Sequence, residues 1–458
     1  MRPIPPAFWV LLTLAAILPI WIIPVAPLVD WPTHLAISRE MYLLFQGLPQ
    51  AYYYLDFRFL GYSLSNLLLV GLQYFFSLTV SGQILLSLLF PLAAVCWYAF
   101  FRLLAPEKRD WFALGLLFNY TLFFYNGMIG FVLGVHLGLL FVALGLDAIL
   151  HQRRRLALFI MAGALTYLAH IYVFFFMVVL LGLAYLHRTY LSGQKAEVWT
   201  GLCLILMFAV AAVATFTLPL SSTDQTYFSQ LQVCANQAQL SIQLPYNPRH
   251  FVSELLAGLI NPLLNWPGPL ISVFPLPNLL LGVVFLLAAW VVFKMLEASR
   301  TDQPFLKVIR LPHLSLPLDP FFTALALLAL AHYLFMPFCA ANFCQVNQRS
   351  FAFVFAFAAL AVRPQSGWKW LPYAIAGLVV LNILFMGFVF WQAAPLQSQI
   401  LSALPALAAQ IPDNSTVFVT PSNWTSLYSF RSIYPPYPNV YYQALLLAQK
   451  PSLYVSGL

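Results

Sequence analysis

Long apolar runs broken by short polar punctuation run through almost the whole chain. Ala7 to Leu28, Val198 to Pro219 and Leu371 to Gln392 are typical. Each supplies the roughly 20 apolar residues that a helix needs to cross a hydrocarbon core. In lipid, every backbone N–H and C=O must be bonded within its own segment, so an open chain crosses as helix. The runs pair off as hairpins: Trp111 to Asn126 with Gly127 to Leu146, Leu156 to Ala169 with Ile171 to His187, and Val198 to Pro219 with Asn278 to Phe293. Phe321 to Phe338 with Ser350 to Val362 follows, then Leu371 to Gln392. The pattern predicts an all-α polytopic membrane protein with about eleven transmembrane helices. The first run is too long for the core of a signal peptide and has no small-x-small site before Asp30, so it is expected to remain as a helix.

Composition agrees: of 458 residues, 62% are hydrophobic and 7% charged, too few polar groups to cover a water-soluble surface. The net charge of +8 is not gathered into a basic patch interleaved with aromatics, so nucleic acid is not an expected partner. The basic residues sit in short loops between apolar runs, which is the positive-inside pattern. One topology places Arg2, Arg102, Lys108, Arg109, Arg153 to Arg155, Arg188, Lys195, Lys294, Arg300, Lys307, Arg310, Arg363 and Lys369 in the cytoplasm. That requires a single crossing between Arg58 and Arg102. Gln83 to Phe101 is that crossing, and Tyr62 to Leu78, broken by Gly61, Gly71 and Gly82 and containing Ser63, Ser65, Asn66 and Gln73, is expected to be an interfacial or re-entrant helix.

The N-terminus is then cytoplasmic and the C-terminus outside. The transmembrane unit spans 1–392, with outer loops at 29–82 (interfacial helices Leu35 to Leu48 and Tyr62 to Leu78) and 220–277. A segment at 393–458 lies outside, where Ser415 to Thr420 reads as a strand after a turn, giving a small αβ appendage. Cys234, Cys339 and Cys344 fall on the outer side, where a disulfide among them is compatible with the environment. Asn119, Asn414 and Asn423 begin N-x-S/T triplets, the first of them inside a span. No internal repeat of the kind found in transporters built from duplicated halves is visible.

The chemistry-bearing residues cluster at predicted outer helix ends. In DWPTHLAISREMY, Asp30 and His34 are four apart and face each other across the first turn of a helix opened by Pro32. A carboxylate beside an imidazole suits a general base or a metal ligand, and a capping Asp30 with a solvated His34 fits the same residues. The outer acids are Asp30, Glu40, Asp56, Asp224, Glu254 and Asp413. Of these, Asp30 abuts a membrane helix, where desolvation favours a proton acceptor. Asp56 is followed by Arg58, which suits surface pairing. Arg349, preceded by Asn347 and Gln348, opens a membrane segment, either as a phosphate-binding fork or as a snorkelling anchor. Arg249 with His250 carries the same two readings. His170 and His332, near outer helix ends, are either functional or satisfied by neighbouring carbonyls, and His136 between Gly134 and Gly138 marks a close helix contact.

On these features the chain resembles the GT-C superfamily of membrane glycosyltransferases, which includes protein O-mannosyltransferases and bacterial lipid A aminoarabinose transferases. The features are a first helix ending at Asp30, an outer loop with interfacial helices, paired shorter hairpins and an outer C-terminal segment. It is also similar to bacterial proteins with a D-x-P-x-H-L-A string, here Asp30, Pro32, His34, Leu35 and Ala36. The resemblance implies transfer of a sugar from a polyprenyl-phosphate donor to a lipid, glycan or protein acceptor at the outer face of a bacterial inner membrane, as part of cell-envelope assembly. It gives Asp30, with His34, the catalytic base role. Arg349 takes the donor phosphate, with Asn347, Gln348, His170, Arg249, His250 and Asp56 around the substrates. Relatives often carry a second acidic residue in the next outer loop, where this chain has Tyr125, Asn126 and Gly127. No metal cofactor is therefore expected, a divalent metal being the less favoured alternative. The competing readings are a transporter or lipid flippase, which should carry ionisable groups deep in several helices, and a non-catalytic envelope-polysaccharide assembly protein.

Overall fold

The computed structural model describes residues 5–26, 28, 31–48, 60–125, 127–151, 155–191, 198–216, 319–335, 339–340, 343–344, 349–362, 370–412, 416–417 and 454–455. Asp30, Asp56, Arg249, His250, Asn347, Gln348 and Cys234 lie outside the described residues, as do the Asn278 to Phe293 run, all of 220–277 and most of 393–458.

The described chain is mostly helical, with no strand longer than two residues. Four helices are long and apolar enough to cross a membrane: α4 (Leu78–Leu104), α7 (Ile129–His151), the span Ile171–Thr189 that contains α9 (Ile171–Leu186), and α13 (Leu371–Gln410). They mark the chain as a membrane protein. The shorter helices are α1 (Pro6–Ile17), α2 (Trp31–Phe45), α3 (Leu64–Gln73), α5 (Leu114–Phe118), α6 (Leu122–Tyr125), α8 (Leu156–Ala169), α10 (Val198–Phe216), α11 (Pro320–Phe335) and α12 (Phe351–Ala361). Leu11, Ile205, Leu384 and Trp391, on α1, α10 and α13, are 64–68% exposed, a distribution that suits hydrocarbon and not water.

Several boundaries depart from the apolar pattern for identifiable reasons. The first run is not one helix: α1 ends at Ile17 and passes into a 3₁₀ turn at Leu18–Ile22, where Pro19 removes a backbone donor. Trp111 to Asn126 is also broken. A 3₁₀ stretch (Pro106–Ala113) leads into α5 and α6, and the polar run Asn119–Thr121 lies between them. Asn119 and Tyr120 send their side chains to other helices, to the Leu89 carbonyl and the Ala16 carbonyl. α13 continues 18 residues beyond the expected end at Gln392, through Pro395 and Pro405. The expected outer tail therefore begins as helix, and of its strand only Thr416–Val417 is described, paired in parallel with Tyr454–Val455.

Helices form in both stretches of the first loop: α2 begins four residues before the expected Leu35, and α3 lies within Tyr62 to Leu78. The 10 residues of α3 rise about 15 Å, half of a hydrocarbon core. Ser77 then caps α4, its hydroxyl accepting from Val80 N at 3.4 Å, and α4 runs unbroken past Pro91.

α7 is buried along nearly its whole length, packed by α4, α8 and α9. Its glycines allow that approach: a Cβ at Gly134 would lie 2.7 Å from His170 Cβ, and one at Gly138 would lie 2.7 Å from Val173 Cγ1. The close contact expected around His136 is therefore made by its two flanking glycines. His136 itself faces the other way. Its Nδ1 accepts from Trp97 Nε1 at 3.1 Å and its Nε2 donates to Asn119 Oδ1 at 2.6 Å. A histidine with both ring nitrogens satisfied by neutral groups is neutral and structural. At the opposite end of α12 from Arg349, the buried Lys108 donates to the carbonyls of Ala359 and Leu360, compensating the last turn of that short helix.

Candidate functional site

Arg349 lies two residues ahead of α12, next to its N-cap Ser350, and its side chain is carried into the interior at the end of the bundle where α7 and α9 begin. It is 7% exposed. A snorkelling arginine keeps its head in water, and this one does not. One guanidinium nitrogen, Nη1, lies 3.0 Å from His170 Nε2. A guanidinium only donates, so Nε2 must be the lone-pair nitrogen, and in the neutral ring Nδ1 carries the proton. His170 is positioned by the break between α8 and α9: it ends α8 in extended conformation (φ −162°, ψ 109°) and starts α9 one residue later.

Aromatic rings fix the pair. Tyr62 meets the His170 ring edge-on at 4.5 Å between centroids and Phe131 does so at 5.2 Å, while Arg349 lies 5.7 Å over the Phe131 ring. The Tyr62 hydroxyl lies beside the guanidinium, where burial pushes its phenol up to about 12 against the opposing pull of the Arg349 charge. After these contacts, Arg349 Nε and His170 Nδ1 have no hydrogen-bond partner among the described residues. No carboxylate among the described residues pairs with Arg349.

A second polar group adjoins the first. His332, near the end of α11, shares a hydrogen bond with Ser350 Oγ at 3.2 Å, and the Tyr172 hydroxyl lies 3.3 Å from both of its ring nitrogens. Ser350 follows Arg349 directly, and Tyr172 is two residues from His170. Three helix ends thus bring both groups together.

His34 belongs to the same end of the molecule. Its Nδ1 lies 3.1 Å from Asn66 Oδ1 on α3. Trp31 and Leu35, one on each side of His34, pack on Gly82 at the start of α4, where a Cβ would lie 3.0 Å from Leu35 and 3.1 Å from Trp31. The stretch from Leu60 to Asn66 links the two parts, with Tyr62 against Arg349 and His170, and Asn66 bonded to His34. Asp30 directly precedes α2, outside the described residues.

Sequence reasoning singled out Arg349, His170 and His34 but not Tyr62, Asn66, Tyr172 or Ser350. A tyrosine or serine beside a helix start carries no distinguishing pattern in an aromatic-rich membrane sequence. Glu40, counted among the outer acids and passed over, is 5% exposed in α2 with neither carboxylate oxygen partnered among the described residues. Burial pushes its carboxyl up to about 7, with the Arg39 charge pulling the other way. Among the described residues, no three His, Cys, Asp or Glu side chains are grouped as metal ligands.

Comparison with known proteins gives no match: no family model, no curated protein and no solved structure corresponds to this chain.

Proposed function

We propose that this chain is a multi-pass membrane glycosyltransferase of GT-C type. It moves a sugar from a polyprenyl-phosphate donor to a lipid, glycan or protein acceptor at the outer face of a bacterial inner membrane. The observation that carries the reading is the buried Arg349 guanidinium, without a carboxylate partner among the described residues and with unspent N–H groups on itself and on His170. A buried cation lacking a counter-charge is costly, on the order of several kcal/mol, and an anionic ligand removes that cost. A lipid-linked phosphate suits the place, because its hydrocarbon part stays among the apolar helices while the head reaches a planar fork of donors.

In this mechanism Arg349 holds the donor phosphate and stabilises the negative charge that develops as the glycosidic C–O bond breaks. His170, accepting at Nε2, orients the guanidinium. Asp30 takes the proton from the acceptor hydroxyl as its oxygen attacks the anomeric carbon, with His34 beside it on the first turn of α2. The link from His34 through Asn66 and Tyr62 to Arg349 supports placing the two halves at one end of the bundle. No step here requires a metal.

The test uses the full chain in nanodiscs. Polyprenyl phosphate should bind far more tightly than the matching polyprenol, and Arg349→Ala should abolish that preference. Equal affinity for the two lipids would reject the phosphate role. Asp30→Asn at normal expression should eliminate glycan transfer in reconstituted vesicles while leaving lipid binding intact, and unchanged transfer would remove Asp30 from the mechanism.

A further inference from the structure

The segment between α11 and Arg349 contains CAANFC, in which two two-residue strands pair: β1 (Cys339–Ala340) and β2 (Phe343–Cys344). They are antiparallel, with Ala340 opposite Phe343 and Cys339 opposite Cys344. Two residues separate Ala340 from Phe343 in the sequence, the commonest hairpin spacing. In an antiparallel ladder, opposed residues alternate between a pair that exchanges both hydrogen bonds and a pair that exchanges none. The pair flanking a two-residue turn is the hydrogen-bonded one, so the next pair outward, Cys339 with Cys344, occupies the non-hydrogen-bonded position. In antiparallel ladders, opposed residues at that position have Cα atoms about 4.5 Å apart. That separation falls within the roughly 4.4–6.8 Å that a disulfide spans without moving the backbone.

We propose that Cys339 and Cys344 form an intramolecular disulfide that closes this hairpin five residues ahead of Arg349. Of the other cysteines, Cys96 and Cys203 are free thiols on α4 and α10, which leaves Cys234 as the competing partner. The bond forms by exchange. Each thiol loses a proton, the S–S bond forms, and the two electrons reduce the disulfide of an envelope thiol–disulfide oxidoreductase to two thiols. The inference rests on the outer placement of this connection in the proposed topology, since the cytoplasm would keep both thiols reduced. Its consequence is mechanical: the cross-link restrains the backbone leading into the arginine and so restricts where the guanidinium can be delivered.

Cells expressing the full chain are quenched in acid, denatured and alkylated without reductant, and the peptide spanning 339–344 is weighed. The expected product carries no alkyl group, is two hydrogens lighter than its sequence, and takes up two alkyl groups only after reduction. A peptide carrying two alkyl groups without reduction overturns the bond, and so does a link from either cysteine to Cys234. The topology is read separately on Cys339→Ser. Labelling of its Cys344 by a membrane-impermeant maleimide in intact cells places the hairpin outside, as the proposal requires. Labelling only after permeabilisation overturns both the disulfide and the outer placement.

Discussion

The Arg349 guanidinium donates to His170 Nε2 at 3.0 Å across 179 residues of sequence, joining the start of α12 to the break between α8 and α9. If His170 acts by aiming the arginine, its effect on donor binding must pass through Arg349. His170→Ala should weaken polyprenyl-phosphate binding roughly tenfold to a hundredfold, the range for losing a hydrogen bond to a charged group. Arg349→Ala should weaken it more, and the double variant no further. Dissociation constants in nanodiscs give the cycle, and fully additive losses would show that His170 contacts the ligand independently.

Packing against α7 sets the same imidazole. A Cβ added at Gly134 would stand 2.7 Å from His170 Cβ, so Gly134→Ala must push the His170 backbone or ring outward. We expect a folded protein whose affinity for polyprenyl phosphate falls as it does in His170→Ala. Unaltered affinity with normal expression would mean that α9 shifts as a unit and keeps the Arg349 contact.

His136 makes the opposite prediction. Its two partners, Trp97 and Asn119, satisfy both ring nitrogens, and Asn119 also satisfies the Leu89 carbonyl. Asn119→Leu strands the buried His136 Nε2–H and should cost about 1–3 kcal/mol of stability. Thermal unfolding in detergent should report the loss, while the surviving folded protein binds polyprenyl phosphate as before. A selective loss of binding at unchanged stability would move this network from scaffold to site.

Glu40 predicts a pH dependence with a definite sign. Its carboxyl rises from 4.5 to about 7 on burial, so between those values the folded state binds more protons than the unfolded one. The stability contribution of protonated Glu40 is complete below about pH 4.5 and is lost as pH rises through 7. A shift of this size corresponds to at most about 3 kcal/mol. Glu40→Gln should therefore unfold at a higher temperature than wild type at pH 8 and at nearly the same temperature at pH 4.5. A wild-type advantage at pH 8 would show that the ionised carboxylate is held by a partner.

The sequence determined the solvent and the helical grammar. The apolar runs fixed α8 and, within a few residues, α7, α9, α10, α11 and α12, because in lipid a run of that length has no alternative to helix. It also marked α3 as a helix distinct from α4, through the glycines and polar residues between Gly61 and Gly82, and α2 as a helix opened by Pro32. It could not locate the interruptions at Leu18–Ile22 or Asn119–Thr121, because what stabilises them is remote. Tyr120 reaches the Ala16 carbonyl, and Asn119 reaches Leu89 and His136.

For the site, the scarcity of ionisable groups in such a chain made Arg349, His170 and His34 stand out at helix ends, each with a structural reading beside the functional one. The choice between snorkelling anchor and buried cation could not be read from NQRSF. That choice depends on whether α7, α9 and α12 converge closely enough to keep water from the guanidinium, and convergence is a property of packing between segments far apart in sequence. Tertiary structure alone brought Tyr62, Phe131 and His170 around Arg349. It did so because Gly134 and Gly138 let α7 approach His170 and Val173 so closely that an added Cβ at either glycine would stand 2.7 Å from them.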